Sequence, residues 1–188
     1  MKKTISIIIS IAMCAMLASC GGVKNEVSDT EQPTLIDTMS LEEKVGQILF
    51  VRCVDDEQTD DLMSIKPGGI LMFGRDFEGL TKDEVKEKIQ SYQDKSDIPL
   101  IIGADEEGGT VVRVSSNPNL APEKFKSPQE IYNEGGMDAV VENATEKSEL
   151  LLSLGVNMNL APVADVSTNP SDYMYDRSLG QNAEVTAD

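Results

Sequence analysis

The chain has no histidine among its 188 residues. That absence excludes a Ser-His-Asp or Cys-His catalytic arrangement and any histidine-based zinc site. Basic residues are scarce too: 16 Lys and Arg stand against 33 Asp and Glu, for a net charge of −17. A surplus of that sign opposes binding to nucleic acid and electrostatic docking on anionic lipid. Cysteine is limited to Cys14, Cys20 and Cys53. Cys53 lies in an apolar run, and no histidine exists to activate it, so it is expected to be a buried structural thiol. Long apolar runs are also missing, and the stretch at residues 4–17 is too short for a membrane-spanning helix.

What stands around that stretch has a purpose of its own. Lys2 and Lys3 precede it, and Leu17-Ala18-Ser19-Cys20 closes it. The pattern resembles the bacterial lipobox, in which the signal is removed before the cysteine and the thiol carries a diacylglycerol. Residues 1–19 are therefore expected to be a lipoprotein signal peptide and Cys20 the lipid anchor. Residues 20–34, rich in Gly, Ser, Thr, Glu, Gln and Asn, read as a flexible tether. The protein is then exported and held on the outer face of the bacterial cytoplasmic membrane, or on the periplasmic or outer-membrane side, by lipid alone. About 150 residues remain, at positions 35–188, enough for one domain with a core.

Ser40-Leu41-Glu42-Glu43 and Thr81-Lys82-Asp83-Glu84 both carry capping-box spacing. The first predicts a short helix through Gln47, the second a helix presenting Val85, Ile89 and Tyr92 on one face. Apolar runs at residues 48–51, 70–73 and 100–103, and another around Met158, predict four strands. Residues 55–61 are expected to form a polar loop and 115–127 an irregular stretch. Residues 137–154 are expected to form a helix with Val140, Val141, Ala144, Leu151 and Leu154 on or near one face, ended by Gly155. Near-continuous apolar strands alternating with helices point to an α/β class with a parallel sheet covered on both faces. A doubly wound sheet and a (β/α)8 barrel both fit that pattern.

In either architecture function gathers at the carboxyl ends of the strands. Three polar clusters follow apolar runs: Gly74-Arg75-Asp76, residues 105–113, and residues 165–177. Carboxylates that accept and guanidinium groups that donate are what sugar hydroxyls require. Taken alone, Asp105-Glu106-Glu107 could equally be a solvated acidic loop. Metal binding is disfavoured, because no ligands of suitable spacing accompany the triplet. Gly108-Gly109 adds a tight turn that lets backbone or ligand approach closely.

Asp105-Glu106-Glu107-Gly108-Gly109, with Val111 and Arg113, resembles the Asp-Gln/Glu-Glu-Gly-Gly-x-Val-x-Arg signature of glycoside hydrolase family 3, in its β-N-acetylhexosaminidase branch. Gly68-Gly69-Ile70-Leu71-Met72-Phe73-Gly74-Arg75-Asp76 is similar to that family's Gly-Gly-x-Ile-Leu-Phe-x-Arg-Asn stretch, with Asp76 where Asn is usual. Leu154-Gly155-Val156-Asn157-Met158-Asn159-Leu160-Ala161-Pro162-Val163-Ala164-Asp165-Val166 and Asp176-Arg177-Ser178-Leu179-Gly180 continue the match in family order.

The resemblance implies the N-terminal part, roughly half, of a (β/α)8 TIM-type barrel. It implies hydrolysis of terminal β-linked N-acetylhexosamine from cell-wall or chitin-type oligosaccharides, with retention at the anomeric carbon. Asp105 is implied to accept hydrogen bonds from the N-acetylglucosamine ring hydroxyls. Arg113 and Arg177 are implied to donate to hydroxyls or neighbouring carboxylates. Asp165 is expected to orient its strand-end loop and Glu106 to face solvent. Similar proteins cleave with a His–Asp pair on a Lys-His-Phe-Pro-Gly-His-Gly loop and a later nucleophilic Asp. Neither occurs in these residues, so no catalytic residue is assigned, and the chain is expected to be truncated and inactive alone. No cofactor or metal is implied. The competing readings are a family 3 β-glucosidase, a non-catalytic sugar-binding relative and a solute-binding lipoprotein. The last of these has no reason to carry four ordered matches.

Overall fold

Four short strands lie side by side in the computed structural model, which describes residues 34–52 and 56–187 without the side chains of 56 and 57. The expected signal peptide, Cys20, the tether up to residue 33 and Cys53 lie outside the described residues. The chain divides into two units, Met1–Thr38 and Met39–Asp188. In the first, the described part is a short helix at Leu35–Thr38. No helix among the described residues is long and apolar enough to cross a membrane.

The second unit holds strands β1 (Phe50–Val51), β2 (Gly69–Met72), β3 (Ile101–Ala104) and β4 (Met158–Asn159). All pairs are parallel and the spatial order is β1-β2-β3-β4. A doubly wound sheet reverses its order at a switch point, whereas a barrel adds strands sequentially in one direction. The order here is sequential, which periodicity could not reveal.

The two faces of the sheet differ. Ile70 and Met72 of β2 pair with Ile102 and Ala104 of β3, and all four are buried. They pack under Val85, Ile89 and Tyr92 of the Lys82–Gln93 helix and under Leu151 and Leu154 of the Pro128–Leu154 helix. Each fully buried side chain of this size contributes roughly 1.5–3 kcal/mol. On the other face the Phe50 ring lies over β2 and β3 where Gly69 and Gly103 leave room; a Cβ at either would stand within 2.7 Å of the ring.

Both predicted capping boxes form, at Ser40 with Glu43 and at Thr81 with Glu84. Three expectations need correction. Ile48 and Leu49 are not strand: Ile48 caps the Leu41–Gln47 helix, and β1 starts at Phe50. Of the stretch 55–61, residues 56–61 are not a loop, because a helix spans Asp56–Ser64 and buries Thr59 and Met63, so packing overrides a polar pattern. The last long helix begins at Pro128, earlier than expected. It breaks at Gly135 and at Gly136, which has φ +68°, and the expected start at Met137 is where helical geometry resumes.

That earlier start has a capping box of its own. Ser127 Oγ accepts from Glu130 N at 3.3 Å, and Glu130 Oε2 accepts from Ser127 N at 2.9 Å. Ser127→Ala is expected to cost about 1 kcal/mol. A thermal melt should show that as a fall in Tm of about 2–4 °C.

Candidate functional site

Residues 105–113 leave the carboxyl end of β3 and turn back at once. Glu107 N and Gly108 N both donate to Val111 O at 3.0 Å, and Val111 N donates to Gly108 O at 3.2 Å. The turn requires φ of +102° at Gly108 and +62° at Gly109. A side chain at Gly108 would also run into the Lys126 carbonyl, so glycine is demanded by conformation and by space.

The three acids of the loop have three different jobs. Asp105 stands at the mouth, where its Oδ2 meets Arg113 Nη2 at 3.2 Å, both side chains partly exposed. Glu106 is fully buried, contrary to the expectation that it faces solvent. Its Oε2 accepts from Arg113 N and Val114 N, each at 2.7 Å. Its Oε1 accepts from Ser115 N at 3.2 Å and from Ser115 Oγ. A carboxylate enclosed by that many donors organises the returning strand of the loop, and an acidic triplet read as sequence gives no sign of which member turns inward. Glu107 is buried and grips Arg177 with both oxygens, at 2.9 Å from Nε and 2.6 Å from Nη2. That planar fork-to-fork geometry is the strong form of the ion pair. Bonding to Glu107 holds Arg177 above the ordinary guanidinium range.

Neighbouring elements fix the loop from below. Asn159 of β4 clamps Glu106 from both sides: its Oδ1 accepts from Glu106 N at 3.0 Å and its Nδ2 donates to Glu106 O at 3.2 Å. Lys147 Nζ reaches up from the Pro128–Leu154 helix to donate to Glu107 O at 2.7 Å. Gln129, placed by the same helix's first turn, donates from its side-chain amide to Tyr175 O and so steadies the turn Tyr175–Arg177. At the end of β2, the Phe73 ring carries two guanidinium groups, Arg52 at 4.1 Å and Arg113 at 5.6 Å from its centroid. Arg113 Nε is buried without a hydrogen-bond partner among the described residues. Asp76, standing where Asn was the expected type, accepts from Phe73 N at 2.7 Å and faces Lys88 at 3.5 Å. Its role is to shape the end of β2.

Of the residues singled out by sequence, Asp105 and Arg113 are brought into direct contact. Arg177 arrives beside them through Glu107. Asp165, expected to orient its loop, is exposed and has no hydrogen bond among the described residues. Glu107, Lys147, Asn159, Phe73 and Arg52 went unnoticed as site residues. For Lys147 a signal did exist. It lies one helical turn before Leu151 on the buried face of the helix, at a spacing where an apolar residue is the default.

Residues 40–188 match the glycosyl hydrolase family 3 N-terminal domain. The chain belongs to that family. Among its curated relatives is β-hexosaminidase A of Pseudoalteromonas piscicida, 30% identical over 122 residues, covering 63% of this chain and 20% of the relative. Another is β-hexosaminidase LpqI of Mycobacterium tuberculosis, 28% identical over 151 residues, covering 79% of this chain and 38% of the relative. A crystal structure of a family 3 glycosyl hydrolase from Mycobacterium smegmatis superimposes with a TM-score of 0.66 at 24% identity, covering 79% of this chain and 44% of that one. NagZ of Neisseria gonorrhoeae, solved in complex with N-trifluoroacetyl-D-glucosamine, superimposes at 0.52 and 21% identity, covering 74% and 42%. The chain thus spans less than half the length of each of these relatives. Its sequential parallel strands are part of the TIM-type barrel of this family's N-terminal domain. The loop of residues 105–113 stands at the strand ends, where such barrels carry their sites.

Proposed function

We propose that this family 3 segment holds the N-acetylglucosamine ring of a β-N-acetylhexosaminidase that acts, with retention, on cell-wall or chitin-type oligosaccharides outside the cell. The observation that carries the reading is the pairing of Asp105 with Arg113 at the end of β3, with Arg177 locked beside them by Glu107. Asp105 supplies acceptors for ring hydroxyls, while Arg113 and Arg177 supply donors on a preorganised frame. The β-hexosaminidase names of the relatives favour an N-acetylated sugar over glucose. Anchoring at Cys20, export and the absence of nucleic-acid partners belong to the same proposal. The proposal further holds that these 188 residues bind the sugar without hydrolysing it, and release of chromophore from a chromogenic N-acetylglucosaminide by the segment alone would refute that part.

The decisive experiment is calorimetric titration of N-acetylglucosamine into wild-type and Asp105→Asn protein. Two charge-assisted hydrogen bonds weakened together should lower affinity roughly 100-fold. Because the Asp105–Arg113 pair is partly exposed, urea unfolding should shift by no more than about 1 kcal/mol. Equal affinity of the two proteins would overturn the assignment of Asp105.

A further inference from the structure

Lys147 is the first residue of its helix's buried face, followed along it by the apolar Leu151 and Leu154, and is only 8% exposed. Burying an ammonium group is costly unless it is paired and hydrogen-bonded, and an apolar side chain of similar volume supports a core as well or better. The charge therefore needs a reason beyond packing. Its Nζ donates to Glu107 O at 2.7 Å, lies 5.5 Å from the Phe125 ring centroid, and borders the Gly108 turn. The Glu107 side chain takes the Arg177 guanidinium on its two oxygens. A cavity of about 280 Å³, lined by Glu107, Lys147, Asn143 and Asn159 among others, opens beside the ammonium and has room for water on its remaining donors.

We propose that Lys147 is a positioning residue of the sugar site: from the buried helical face it fixes the Glu107 backbone and, through the Glu107 carboxylate, the guanidinium of Arg177. This rests on the sugar-binding reading above and adds to it a residue outside the strand-end loop. The groups that face Lys147 are Glu106 and Glu107 from the loop and the Phe125 ring, with Arg177 beyond Glu107. Burial pushes Lys147 below the ordinary lysine range, against the opposing pull of Glu106 and Glu107. The folded value then lies below the unfolded one, so between the two the unfolded chain binds more protons. The contribution of Lys147 to stability accordingly rises with pH in that window. Sugar affinity moves the other way, since loss of the ammonium charge loosens the loop that places Arg177. A purely structural lysine would not separate the two.

The test is calorimetric titration of N-acetylglucosamine into the intact protein, from near-neutral pH up to the ordinary lysine value of 10.5. Wild type is compared with Lys147→Met, Lys147→Gln and Tyr173→Phe. The last is a control for the exposed tyrosine whose charge acts on Arg177. Wild type and Tyr173→Phe should both lose affinity on the alkaline side. Lys147→Met, as stable as wild type or more so, should bind roughly tenfold more weakly at neutral pH and show no alkaline loss. If Lys147→Met does not fold, Lys147→Gln and the wild-type profile carry the comparison. Wild-type affinity and an unchanged alkaline limb in the Lys147 variants would overturn the proposal. If wild type binds no N-acetylglucosamine, the sugar reading itself fails. Hydrogen exchange at the Glu107, Gly108 and Val111 amides then decides the role of Lys147. Faster exchange in the variant supports positioning, and unchanged exchange overturns it.

Discussion

Replacing Glu106 with alanine is expected to lower stability by about 3–5 kcal/mol. The side chain is completely buried and satisfies three backbone N–H groups, those of Arg113, Val114 and Ser115, together with the Ser115 hydroxyl. The hydroxyl can turn elsewhere, and Ser115 Oγ already accepts from Phe125 N at 3.2 Å. The three amides cannot, and each buried donor left unpaired costs about 1–3 kcal/mol. Glu106→Gln is the informative companion. Its amide oxygen keeps one set of bonds while its NH2 confronts a second set of donors, so an intermediate loss is expected. Urea unfolding of both variants measures this. A loss below about 1 kcal/mol for the alanine variant would mean that the loop holds its shape without the carboxylate.

That a residue read as solvent-facing proves the most enclosed acid of the site shows where sequence legibility ended. The places of the four strands, the capping boxes at Ser40 and Thr81 and the helix carrying Val85, Ile89 and Tyr92 were legible because their signals are local and periodic. The Asp56–Ser64 helix was not, since its residues are polar and it is held by burial of Thr59 and Met63 against distant partners. The site follows the same division. Asp105, Arg113 and Arg177 could be named from motif residues. Their wiring could not: Glu107 meets Arg177 across 70 residues, and Asn159 meets Glu106 across 53. Three adjacent acids look interchangeable in a string. Once β3 ends at Ala104 the chain turns, so that Asp105 stays at the mouth while Glu106 and Glu107 enter the protein.

Arg177→Ala is the change expected to damage sugar binding and fold together. Glu107 is 4% exposed at its side chain and would be left buried with both guanidinium bonds gone. Removing one partner of a buried pair costs about 3–5 kcal/mol; the Arg177 side chain is 28% exposed, so solvent screening lowers the expectation to about 2–4 kcal/mol. Arg177→Lys should be nearly as poor in sugar affinity despite its retained charge, because a single ammonium cannot match both carboxylate oxygens. The pair is isolated by a double-mutant cycle of Arg177→Ala with Glu107→Gln. The double variant should be less unstable than the two losses added, by about 1–3 kcal/mol, because each single variant already breaks the same contact. Strict additivity would mean that the contact does not hold Arg177, and with it would go the physical basis for placing that guanidinium at the sugar. A coupling of the expected size, joined to lost affinity in both single variants, would instead tie the grip on the ligand to the grip of Glu107 on Arg177.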